Sequence, residues 1–144
     1  MVRSHWKYNK NLNVEHMFGF VYVITNKKTK KSYIGCKQYW HYSKTKRTRQ
    51  TNWKVYMGSS KHLLEDIKKL GKRAFKFEII SEFKNKRSLR YYECYYQMKY
   101  NVLSTTLEGT DEPAYYNNYV GGKFFRPVQE YKDEEKRSKH LHIN

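Results

Sequence analysis

The order of residue patterns predicts a small α/β domain of the α+β kind, a three-stranded antiparallel sheet flanked by helices. Two β-rich runs sit around a short polar turn between residues 18 and 36, and a strict apolar–polar alternation follows from Phe75. Two further stretches, opening near Ser60 and Asn85, carry apolar residues at steps of three and four. The 144 residues suffice for one hydrophobic core, burying roughly two-thirds of the unfolded chain's surface, but are short for two.

Taken in order, residues 1–17 are polar and aperiodic and read as an extended N-terminal arm, with Arg3, Lys7 and Lys10 available to phosphate. Phe18 to Ile24 is aromatic and β-branched, which suits a pleated surface, and Ser32 to Cys36 repeats the pattern. The polar Asn26–Lys31 stretch between them predicts a hairpin. Residues 37–58 interleave Lys37, Lys44, Lys46, Arg47, Arg49 and Lys54 with Tyr39, Trp40, Tyr42 and Trp53, a mixture that suits a DNA-facing loop or an ordinary solvated loop with anchoring rings. A first helix follows: Ser59 or Ser60 caps it, Leu63, Leu64, Ile67 and Leu70 line it, and Gly71 ends it. Phe75, Phe77 and Ile79 alternate with Lys76 and Glu78 as a third strand. A second helix begins near Asn85 or Lys86 and ends near Tyr100, with Leu89, Tyr92, Tyr96 and Tyr100 on its apolar stripe. Gly109, Pro113, Gly121 and Gly122 mark a packed irregular segment, and a charged tail runs from Lys123 to Asn144. The expected organisation is thus an arm at 1–17, one domain at 18–122 and a tail at 123–144.

Lysine and arginine number 30 against 13 aspartates and glutamates, giving +17, a balance that asks for a polyanionic partner. No apolar run is long enough to span a bilayer and no signal-peptide pattern is present, so nucleic acid is favoured over lipid. The 25 aromatic residues, 15 of them tyrosine, supply a core and argue against disorder throughout. Cys36 and Cys94 lack the spacing of a zinc site, and neither zinc nor a disulfide is expected.

Two features carry chemistry. With an even-numbered hairpin loop such as Lys27-Lys28, Tyr22 and Tyr33 fall opposite each other on one sheet face, while Val21, Val23 and Ile34 point into the core from the other. On the second helix, Glu93 lies on the apolar seam between Leu89 and Tyr96, where an unpaired charge is costly. A divalent cation, pairing with Arg90 or Lys84, or a tilt to solvent would each resolve that cost.

Phe20-Val21-Tyr22 and Tyr33-Ile34-Gly35, with ten residues between them, resemble the paired motif of the GIY-YIG nucleases. Gly58-Ser59-Ser60, Gly71, the Phe75–Ile80 strand, Glu93 in a tyrosine-rich helix and Tyr116-Asn117 follow in the order of that family, so the resemblance runs from Phe18 to about Asn118. Trp53, Gly58-Ser59-Ser60-Lys61, Glu65-Asp66-Ile67 and Gly121-Gly122-Lys123-Phe124 are similar to small phage-encoded, free-standing homing-type endonucleases. The first motif departs from Gly-Ile-Tyr, and Gly58 stands where some members carry a histidine.

The resemblance implies a site-preferring endonuclease that hydrolyses phosphodiesters of double-stranded DNA with magnesium, manganese substituting, as a monomer or a DNA-induced dimer. It implies a cytoplasmic setting in a phage-infected bacterium. In that reading Glu93 holds the metal, and Tyr22 is the general base, biased toward phenolate by Lys37 and Arg47. Tyr33 orients water or phosphate, Arg47, with Arg49 and Lys44 as the alternatives, neutralises phosphoryl charge, and Asn117 holds the geometry. Gly35 permits close backbone approach, and Lys37, His41, Lys44, Arg49, Trp53 and Lys54 are the supporting or DNA-binding positions. The alternative from another class is a basic nucleic-acid-binding module without catalysis.

Overall fold

The computed structural model describes residues 3–121 and the backbone of 124–125; the rest of the expected tail lies outside the described residues. The chain forms β1 (Gly19–Asn26), β2 (Ser32–Gln38), β3 (Trp40–Ser43), β4 (Lys46–Gln50), α1 (Lys61–Leu70), β5 (Phe75–Phe83), α2 (Lys86–Lys99) and the short pair β6 (Tyr119–Val120) and β7 (Phe124–Phe125). A three-stranded antiparallel sheet in the order β2-β1-β5 is the centre of the molecule, as the sequence patterns predict. The helix boundaries also follow their signals: the Ser60 hydroxyl accepts from the Leu63 amide, Gly71 closes α1 at a φ of 89°, and the Asn85 side chain accepts from the Ser88 amide to open α2.

The hairpin register differs from the expected one. Asn26 and Lys31 close a four-residue loop, Lys27–Lys30, because the buried Asn26 carboxamide accepts from the Lys28 and Thr29 amides and so shapes the turn from inside. The loop is still even-numbered, but the register moves by two: Tyr22 faces Gly35 and Tyr33 faces Ile24. Parity is preserved, so both phenols keep one face of the sheet.

That face is not left open. Phe20, Tyr22 and Ile24 pack with Trp53, Leu63, Ile67, Phe75, Phe77 and Ile79 on the α1 side, while Val21 and Ile34 meet Leu89, Val102 and Val120 on the α2 side. A sheet buried on both faces explains why β1 reads as a continuous apolar run instead of an alternating one. The space for chemistry therefore lies at the outer edge of β2, not over a sheet face.

Two other stretches are more ordered than expected. Residues 37–58 form the β3–β4 hairpin and a turn of 3₁₀ helix at Trp53–Val55, and their rings mostly pack inward: Tyr39 and Trp53 are core residues. The N-terminal arm also belongs to the core. The Lys7 amide donates to the Phe77 carbonyl and the Ile79 amide to the Lys7 carbonyl, continuing the sheet beyond β5, and Trp6 is buried with its indole N–H on the Trp53 carbonyl at 2.6 Å.

Candidate active site

The outer edge of β2 is closed by the segment after α2, and the closure builds the site. The Ser32 amide donates to the Ala114 carbonyl and the Tyr116 amide to the Ser32 carbonyl. Two residues further along β2, the Asn117 side chain replaces a neighbouring strand at Ile34: its Oδ1 accepts from the Ile34 amide at 3.1 Å and its Nδ2 donates to the Ile34 carbonyl at 2.8 Å. Gln97 of α2 donates to that carbonyl as well, at 2.9 Å, and accepts from the Gly121 amide at 2.6 Å. The backbone between Tyr33 and Gly35 is thereby fixed from three directions.

Against this fixed edge opens a cavity of about 270 Å³, lined by Tyr22, Tyr33, Tyr56, Arg90, Glu93 and Asn117 among others. Tyr22 is 1% exposed and reaches it across Gly35, where an added Cβ would lie 2.5 Å from the phenol oxygen. A bulge in β5 opposite Val21 and Tyr22 sits beside this position and re-aims the strand there. The Tyr33 hydroxyl bonds Ser59 at 3.3 Å, which leaves helix capping to Ser60. Glu93 enters from α2 with its side chain 15% exposed and the Arg90 guanidinium 3.7 Å away. It is the cavity's one carboxylate among the described residues.

Burial dominates the protonation of these groups. It holds the Tyr22 phenol well above its usual range, with Tyr33 and Tyr56 adding to the shift, and lifts Tyr33 to about 12. Burial also raises the Glu93 carboxyl, against the opposing pull of the Cys36 thiol, Arg90 and the Cys36 backbone. Its charge is thus only partly compensated, which is the condition under which a hard cation gains most from a carboxylate. Among the described residues no group of three His, Cys, Asp or Glu converges. A cation here would take Glu93 as its protein ligand and draw the remaining oxygens from water and phosphate, an arrangement that suits magnesium.

Of the expected site residues, Tyr22, Tyr33, Gly35, Glu93 and Asn117 meet in this cavity. Lys37 and His41 line an adjoining groove, where the Lys37 ammonium stands 4.2 Å over the Tyr56 ring. Arg47 lies elsewhere: its guanidinium stacks 4.4 Å over Trp40 and donates to the Glu15 carbonyl at 2.7 Å. The expected bias of Tyr22 toward phenolate is not found: burial, with Tyr33 and Tyr56, holds the proton on, and neither cation is among the influences on it. Lys44 and Arg49 are exposed on the hairpin, Trp53 is core, and Lys54 receives the His5 amide on its carbonyl. Sequence reasoning did not single out Gln97 or Tyr56 and considered Arg90 only as a partner for Glu93. The signal for Gln97 is its place one turn after Glu93 on the same buried stripe.

The β2-β1-β5 sheet thus lies between two helices, and at its edge two tyrosines of one hairpin meet a helical glutamate. Residues 5–120 match the family model described as "Putative endonuclease segE, GIY-YIG domain", and the chain belongs to that family. No curated protein and no solved structure matches the chain. Among the described residues no helix is long and apolar enough to cross a membrane.

Proposed function

We propose that the chain is a magnesium-dependent endonuclease acting on double-stranded DNA, with manganese able to substitute, and that its site preference is of the homing type. The observation that carries this reading is the convergence of Tyr22, Tyr33, Arg90 and a partly compensated Glu93 in one cavity of a strongly basic chain. A pure binder has no physical use for a buried carboxylate beside DNA, since it repels phosphate.

Glu93 would hold the cation, which when bound polarises the scissile phosphate and stabilises the leaving oxygen. Tyr22 and Tyr33 keep their protons at neutral pH and act as fixed O–H donors that orient phosphate and the attacking water. Arg90, with its guanidinium at the cavity, fills the charge-neutralising role for which Arg47 was the sequence's candidate. Asn117 and Gln97 hold the Ile34 peptide, and with it the tyrosines, in position.

The test is cleavage of mixed-sequence plasmid and phage DNA with magnesium, with manganese and with chelator, alongside Glu93→Ala. Nicks or breaks that need the metal and vanish in the variant, while DNA binding persists, are expected. Cutting retained by Glu93→Ala would remove the metal role, and salt-sensitive binding without cleavage of any substrate would turn the protein into a binding module.

A further inference from the structure

The β3–β4 hairpin has two unlike faces. Trp40, Tyr42 and Arg47 share one of them, since Tyr42 pairs with Arg47 and Trp40 lies two residues from Tyr42. This face is fastened to the residues leading into β1: Tyr42 stacks on Phe18 at 5.4 Å, the Trp40 indole donates to the Val14 carbonyl at 2.9 Å, and Arg47 binds Glu15 through its carbonyl and carboxylate. The other face, with the tip, carries Ser43 paired with Lys46, then Lys44 at a φ of 58°, and Arg49 at the irregularity in β4. Lys44, Lys46 and Arg49 are exposed and make no ion pair among the described residues.

The hairpin is also joined to the catalytic cavity. A groove of about 430 Å³ shares Cys36, Tyr56 and Arg90 with that cavity and continues past Lys37 and Lys86 to His41, which lies on β3. A phosphate chain bound at Arg90 is thus led by Lys37 and Lys86 toward the hairpin.

We infer that the β3–β4 hairpin enters the major groove of double-stranded DNA beside the cleavage site and reads base edges there with Lys46 and Arg49, Lys44 at the tip meeting phosphate. The inference rests on the DNA reading of the cavity. A major groove about 12 Å wide admits a two-stranded ribbon, and arginine and lysine there favour the acceptor edge of guanine. The fastened face explains how the ribbon stays rigid enough to read, because ordering is completed on folding and not during binding.

The experiment selects duplexes from a random pool with the full chain in chelator, so that binding is read without cutting. Wild type is compared with Lys44→Ala/Lys46→Ala/Arg49→Ala and with an equal charge removal from exposed α1 positions, Lys61→Ala/Lys68→Ala/Lys69→Ala. Wild type should enrich a guanine-containing motif and lose affinity when guanine N7 is methylated in the major groove. The hairpin variant should lose the motif, bind at least about tenfold more weakly near physiological salt, and show a salt slope shallower by about 1, the share of the single phosphate contact at Lys44; the α1 variant should keep the motif. Equal behaviour of the two variants, weaker binding with the motif intact, or wild-type binding indifferent to sequence and N7 methylation would each overturn the inference. Methylation interference uses the unmodified protein, so the inference stays testable should the hairpin variant fold poorly. Absence of cleavage under magnesium would instead count against the nuclease reading alone.

Discussion

Gly35 shows how one missing side chain makes the site. Its Cα lies opposite Tyr22, and the phenol crosses the space a Cβ would occupy, with Tyr22 Oη 2.5 Å and Cζ 2.8 Å from that position. Any side chain there must displace either the phenol or the edge strand, and Asn117 and Gln97 hold the edge strand. Gly35→Ala should therefore destabilise the fold by about 1–3 kcal/mol, as overpacking does. It should also reduce magnesium-supported cleavage at saturating DNA far more than it weakens DNA binding. Urea unfolding together with single-turnover cleavage would check this, and wild-type values in both would show that Tyr22 does not depend on the gap. This constraint was partly legible: Tyr33-Ile34-Gly35 marked the glycine as a place of close approach. What approaches was not legible, because it depends on a two-residue register shift set by the buried Asn26 carboxamide, and no spacing rule counts that side chain.

Among the elements, the hairpin after β2 departs furthest from expectation, and it changes the reading of one arginine. Arg47 is surrounded by Trp40 and Glu15, an environment that serves packing, whereas Arg90 stands at the cavity. Losing the stack and the carbonyl bond in Arg47→Ala should lower stability by about 1 kcal/mol, and lysine should not restore it because a guanidinium plane is what lies over the indole. Turnover at saturating DNA should change less than tenfold in Arg47→Ala but fall about a hundredfold or more in Arg90→Ala, the scale for removing a donor to developing charge. The reverse ranking would return Arg47 to the chemistry. The cationic–aromatic mixture of residues 37–58 was visible in the sequence, but its division of labour was not. Rings that pack and rings that face solvent look alike until the partner strand and the arm are placed. The helices were more legible, since Ser60, Gly71 and Asn85 act on their own neighbours.

Across the whole molecule, the N-terminal segment ties the far edge of the sheet to the cavity. Residues 3–7 read as polar, and one tryptophan in a polar stretch gives no periodicity from which burial follows; only the tertiary structure shows Trp6 against Phe20 and Tyr22, and His5 stacked on Phe77. The His5 Nε2 lies 2.8 Å from the carbonyl of Tyr56, a cavity residue, while its Nδ1 is buried without a hydrogen-bond partner among the described residues. Burial accordingly holds His5 neutral down to about 4, below its usual 6.5. Between those two pH values the unfolded chain binds the proton that the folded chain refuses, so stability is intact above about 6.5 and falls as pH drops toward about 4. His5→Phe keeps a flat ring on Phe77 and removes the titration, at the loss of one hydrogen bond. Its melting temperature should lie below wild type at pH 7 and decline less steeply toward pH 4. Parallel melting curves for the two proteins across that window would assign acid sensitivity to other groups. A smaller acid loss in the variant would mean that a residue outside the paired tyrosine motif, held between β5 and Tyr56, contributes to the acid sensitivity of the domain.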